Sequence, residues 1–202
     1  MRSTMMDPGK RNRGRRWASR VALTVVSVAA VCALSAAAVA RWGFTTSALT
    51  SAVFSAAMVA LAAINLDRGI LPNAITLPGL AVGIALAFLD PRVAWYDSIV
   101  GAVLGTVLLY SIARLYRMLH PRHEEGMGMG NVKLMAMVGA FLGWQGMLLT
   151  ILFGSVLGSV LGLMMPQARR RSLPFGTFLA LAAVVTDWFG SPFLDWYVGF
   201  LK

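Results

Sequence analysis

The chain has 202 residues, 58% of them hydrophobic and 13% charged, with a formal net charge of +10. A soluble domain carries about twice that charged fraction, so a water-soluble globular fold is excluded. Uncharged runs cover 21–40, 42–66, 69–89, 98–113, 134–168 and 172–186, and a membrane span needs roughly 20 apolar residues. The pattern is that of an all-α, polytopic membrane helix bundle.

Residues 1–20 are short and basic and read as a disordered cytoplasmic tail, ahead of one membrane-embedded domain over 21–202. The stretch RNRGRRWASR followed by an apolar run has the charge pattern of a signal peptide. The run is long for one and more spans follow it, so it is better read as the first helix. About seven transmembrane helices are expected, near 21–40, 47–65, 74–89, 96–118, 131–143, 146–165 and 174–189. Between the second and third, in AAINLDRGILPNAITLPG, the helix ends near Asn65 and Pro72 breaks the chain. The run 134–168 is too long for one span, since 35 residues at ~1.5 Å each reach roughly 50 Å against a core of ~30 Å. It must fold back, and GWQG at 143–146 is the expected turn. The arm before the turn is short, so the Gly-rich loop ahead of it, 126–130, is expected below the membrane surface, buried in protein or facing water. The tail SPFLDWYVGFLK interleaves aromatic and polar residues and reads as an interfacial helix.

With the N-terminus placed in the cytoplasm, 15 of the 18 Lys and Arg residues fall on the cytoplasmic side. Arg41, Arg92 and Lys202 fall opposite, which is a strong positive-inside bias. The charge therefore reflects topology and contact with anionic lipids. Nucleic acid is a poor partner, because the basic residues are scattered over short loops. Cys32, alone and mid-span, has no intrachain disulfide partner and reads as a packed small residue. Gly101 and Gly105, and Gly154, Gly158 and Gly162, are small residues at four-residue spacing and read as helix-packing stripes. His120 and His123 read as loop histidines, and Glu124 and Glu125 as a solvated turn. No clustered ligand set suggests a metal, and no cofactor is expected.

Two segments carry denser signals, 62–79 and EEGMGMGNVKLMAMVGAFLGW at 124–144. Both fall at the cytoplasmic ends of spans, so polar groups on them can meet across the bundle. From the residues alone, Asn131 reads as a helix N-cap, Asn65 as a helix-end residue and the glycines as a linker. Gly128 and Gly130 fit either close backbone approach to a substrate or steric relief. Lys133 fits either stabilisation of a charge at 131 or a snorkelling interfacial lysine.

GMGMGNVKLMAMVGAFLGW resembles the signature of the type IV prepilin peptidases, membrane-embedded GxGD aspartic proteases. NLDRGILPNAITLPG is similar to their other motif, an aspartate followed seven residues later by proline. LPFGTFLAL at 173–181 resembles their PFGPFLAL segment, with Thr177 in place of a proline. The likeness runs from about residue 45 to the C-terminus. It implies cleavage of the basic leader of prepilin-type substrates at the cytoplasmic face of the bacterial inner membrane. It places the two catalytic aspartates at Asn65 and Asn131, with Gly128, Gly130, Lys133 and Pro72 shaping the site. Asp67 is five residues from Pro72 rather than seven, and on a helix it points ~200° from 65, so it is no substitute. An amide has the shape of a carboxyl without its proton chemistry. The chain is therefore expected to be an inactive Asp-to-Asn form. Alternatives are a natural pseudoenzyme that holds or delivers pilins, or a small membrane transporter, although internal repeats and charges deep in spans are not evident. Many relatives also methylate the new N-terminus through a large insertion with paired cysteines. Nothing in this sequence corresponds to that insertion, so the resemblance implies peptidase without methyltransferase.

Overall fold

The computed structural model describes residues 8–119, 128–164 and 175–200. Six helices follow in order: α1 Pro8–Trp42, α2 Thr46–Arg68, α3 Asn73–Ala87, α4 Trp95–Leu119, α5 Met129–Met164 and α6 Phe175–Phe200. Five are long and apolar enough to cross a membrane; α3 is apolar but has 15 residues. The described residues are overwhelmingly helical, as the composition requires of a chain whose backbone polar groups must be satisfied internally.

Three local signals set the helix ends. Thr45 caps α2, its side chain accepting from the Ala48 N–H. Gly69 closes α2 with φ +69°, a left-handed conformation that glycine adopts without a Cβ penalty, and its N–H bonds the Asn65 carbonyl at 2.8 Å. Pro72 opens α3 from the extended region, and its carbonyl accepts the Ile75 and Thr76 N–H groups.

The expected fold-back is present, at Gly143 rather than as a break reaching 146. This residue lies inside α5 with φ 70° and ψ −178°. A Cβ built on Gly105 would stand 2.6 Å from the Met135 carbonyl oxygen and 3.3 Å from Met147 Cγ. Those two atoms are thus no more than 5.9 Å apart, the two distances laid end to end. Twelve residues of straight helix would separate them by ~18 Å. The arm before the turn, 129–142, forms the centre of the bundle. Every residue from 134 to 141 is buried, packed with Phe54, Met58 and Leu61 of α2, Leu109 of α4 and Leu179 of α6.

The glycine stripes account for the close packing. A Cβ on Gly101 would lie 2.5 Å from the Gly139 carbonyl oxygen and 2.6 Å from the Gly143 carbonyl carbon, so α4 and α5 touch backbone to backbone. Ser98 Oγ ties the same seam to the Ala140 carbonyl at 2.6 Å. A Cβ on Gly154 would stand 2.9 Å from Leu179 Cδ2 of α6, and one on Gly158 would stand 3.4 Å from Phe178 Cδ2.

Two expectations are corrected. Cys32 is exposed rather than packed, because α1 packs mainly along α2, touches α6 only at its end through Arg41, Trp42 and Trp188, and turns its other faces outward. The residues from 191 to 200 continue α6 instead of forming a separate helix, with Pro192 accommodated inside it. Helix α1 starts at Pro8; arginine and lysine are good helix formers. His120, His123, Glu124 and Glu125 lie outside the described residues.

The far end of the bundle holds a buried ionic cluster that no motif announces. Arg92, in the α3–α4 loop, pairs with Asp90 at 2.8 Å and with Asp187 of α6 at 3.3 Å. Ser47 donates to Asp90 at 2.9 Å and Ser51 donates to Asp187. Asp187 is a charged residue inside the apolar stretch Phe175–Leu194. The Arg41 and Arg92 guanidinium groups lie over the Trp42 ring at 5.0 and 4.8 Å. Burial pushes the Asp90 carboxyl up, but the Arg92 hydrogen bonds and charge, with Ser47, more than offset it and hold its pKa below the ordinary 3.8.

Candidate functional site

Asn65 sits in the last turn of α2, 4% exposed. Asn131 sits in the first turn of α5, half-buried, its N–H bonded to the Gly128 carbonyl at 3.0 Å. The two are 66 positions apart in sequence, and the first turn of α6 brings them together. A Cβ placed on Gly176 would stand 2.7 Å from Asn131 Oδ1 and 2.7 Å from Asn65 Nδ2. The two amides are therefore separated by no more than 5.4 Å, twice that distance. A single water molecule bridges polar atoms over such a gap. The same point on Gly176 is 2.8 Å from Leu71 Cδ1, so the loop between α2 and α3 forms the third wall.

Thr177, the next residue of α6, accepts a hydrogen bond from Asn65 Nδ2 at 3.2 Å and is itself buried. In the sequence Gly176 carries no signal of its own, and Thr177 stands out only as the replacement of a proline in the family segment. The segment LPFGTFLAL carried a family likeness but no chemical signal, since a glycine and a threonine opening a helix are unremarkable by themselves.

The remaining candidate residues divide. Pro72 fixes the start of α3 and so the position of Leu71 against the pair. A Cβ on Gly130 would meet Leu71 Cβ at 3.0 Å, so this glycine gives steric relief where α5 passes the loop. Gly128 is exposed with nothing within 4 Å; Gly126 and Met127 lie outside the described residues. Lys133 does not reach Asn131: its Nζ bonds Asn73 Oδ1 at 2.8 Å. Two positions along a helix differ by ~200°, which turns its side chain to the start of α3. Asp67 faces α1, where it pairs with Arg20 at 3.4 Å and Arg68 at 3.9 Å, well away from the pair.

Two amides and a hydroxyl can donate and accept hydrogen bonds to a peptide, but none of them exchanges a proton near neutral pH. Among the described residues, no group of three His, Cys, Asp or Glu is placed to hold a metal ion.

The chain is 36% identical over 165 residues to a protein of Burkholderia pseudomallei named prepilin leader peptidase/N-methyltransferase, covering 80% of this chain and 53% of that one. Proteins of the same name from Pseudomonas putida and Aeromonas salmonicida are 35% identical over 176 residues and 33% over 161 residues. These matches cover 85% and 78% of this chain, and 60% and 53% of the relatives. The chain thus spans little more than half the length of the curated relatives it matches. No solved structure matches it. The model of the type IV leader peptidase family matches residues 52–163, a stretch that holds both asparagines, the loop between α2 and α3, and the turn at Gly143. The chain belongs to that protease family.

Proposed function

We propose that this chain is a prepilin leader peptidase scaffold that binds the basic leader of prepilin-type substrates at the cytoplasmic face of the bacterial inner membrane. With asparagine at 65 and 131, it binds without cutting. The observation that supports this most is the meeting of the two asparagines across Gly176, at the two places where the family resemblance puts aspartates. The substrate's apolar helix approaches through the bilayer, and its leader junction lies against residues 65, 131 and 176. The charge bias puts this end of the bundle in the cytoplasm, where anionic headgroups meet basic residues such as Arg20 and Arg68. Residues 128–130, ahead of Asn131, lie below the headgroups, because the arm 129–142 spans only ~21 Å.

In the aspartate form, one carboxylate takes a proton from water while the other, as an acid, protonates the scissile carbonyl. Two close carboxyls share one proton because both cannot ionise together. The amides keep the shape and remove that proton. Around the pair, a Cβ on Gly176 would touch both amides and Thr177 is bonded to one. This packing also fits a natural pseudoenzyme that holds or delivers pilins.

The test is cleavage and binding of a purified prepilin in detergent by four proteins: the chain as it stands, Asn65→Asp, Asn131→Asp, and both together. The chain itself should bind and not cut, each single change should recover little, and the double change should cut. A doubly changed protein that binds but never cuts favours the pseudoenzyme. Cutting by the unchanged chain at a rate comparable to the doubly changed protein refutes the site.

A further inference from the structure

Thr177 is 7% exposed, and its hydroxyl crosses from α6 to α2 to meet the side chain at 65. A hydroxyl both donates and accepts, whereas an amide NH2 only donates and an ionised carboxylate only accepts. The hydrogen bond therefore reverses with the residue at 65: Thr177 accepts from asparagine and donates to aspartate. Asparagine at 65 keeps the volume of a carboxyl but inverts this contact.

We propose that Thr177 is a positioning residue of the site. It holds the side chain at 65 against α6 and, when a carboxylate stands there, favours its ionised form. This rests on the site reading above. Two effects oppose each other at a carboxyl in that place: burial raises its pKa, and a donated hydrogen bond lowers it. A proline at 177, as in the family segment, has no hydroxyl and leaves burial unopposed.

No other described group takes over this part. Lys133 of α5 is held by Asn73. Asp67 and Arg68 of α2 are grouped with Arg20 of α1, away from the pair. Helix α3, and α6 from Phe175 to Thr186, contain no titratable residue.

The test is an infrared titration of the carboxyl at 65 in full-length Asn65→Asp protein, with the unchanged chain as the blank. Adding Thr177→Val should raise the apparent pKa by roughly one unit. Adding Thr177→Ala should raise it alike, and Thr177→Ser should leave it near the threonine value. Equal values with threonine and valine overturn the proposal. So does serine behaving as valine, or alanine and valine disagreeing, since the last marks a packing effect. The titration needs no cleavage. Failure of the doubly changed protein to cut would count against the proposed function while this measurement still reads Thr177.

Discussion

Gly176→Ala places one methyl group where three side chains already meet. Its Cβ would stand 2.7 Å from Asn131 Oδ1, 2.7 Å from Asn65 Nδ2 and 2.8 Å from Leu71 Cδ1. Non-bonded atoms settle at roughly 3.5–4.0 Å, so α6 or its neighbours must retreat by about 1 Å. Asn65 lies within a helix and is nearly fully enclosed, so it has little room to yield. Overpacking of this kind costs about 1–3 kcal/mol. The helix propensity of alanine over glycine returns up to about 1 kcal/mol, leaving a net loss of about 1–2 kcal/mol. In the doubly changed, cutting protein, a displacement of about 1 Å should lower cleavage roughly 100-fold. Gly128→Ala is the natural comparison, since nothing lies within 4 Å of its added carbon and the change should stay within about 0.5 kcal/mol. Unfolding in detergent, followed by tryptophan fluorescence, reads the first quantity, and prepilin cleavage reads the second. If Gly176→Ala matches its parent in both, or Gly128→Ala is equally harmful, the three-walled site is wrong.

Gly101→Val should prevent folding, because the added carbons meet the Gly139 carbonyl oxygen and the Gly143 carbonyl carbon, which are backbone atoms that cannot rotate aside; recovery of a monodisperse protein with parental stability would refute the α4–α5 seam. For Asp90, a folded-state pKa below the ordinary 3.8 means that its stabilisation is in place above that value and is lost as pH falls through the folded-state pKa. Asp90→Asn should be weaker than the parent by about 1–3 kcal/mol at pH 7 and lose less on acidification below about pH 4. Parallel unfolding profiles from pH 7 to 3 would show that Arg92 does not stabilise the charged form.

Much of this architecture is legible in the sequence for plain reasons of length. A 35-residue uncharged run at 134–168 exceeds one crossing, so a turn near Gly143 follows from rise per residue alone. Pro72 and Gly69 mark the break between α2 and α3 by backbone chemistry. Asn65 and Asn131 stand out only through the family resemblance, because an asparagine at a helix end is otherwise ordinary. The parts that escape notice depend on packing between distant segments. Asp187 finds Arg92 across 95 positions, and nothing near either residue announces the other. Gly176 and Thr177 acquire meaning only from the two amides above them. Lys133 is a different case: helical periodicity turns it ~200° from 131, but its partner Asn73 is 60 positions away and nothing in the sequence announces it.

The turn at Gly143 also decides a matter of parity. Because α5 goes in and comes back, it traverses the bundle an even number of times between Met129 and Met164. Helix α6 therefore sets out from the same side as α5. Had residues 129–164 run straight through, the count would be odd, and Gly176 and Thr177 would open α6 at the side of Arg92 and Trp42. Asn65 and Asn131 would still lie at one end, but with no third helix between them. One glycine torsion thus determines whether the segment from 175 to 177 arrives at the pair at all.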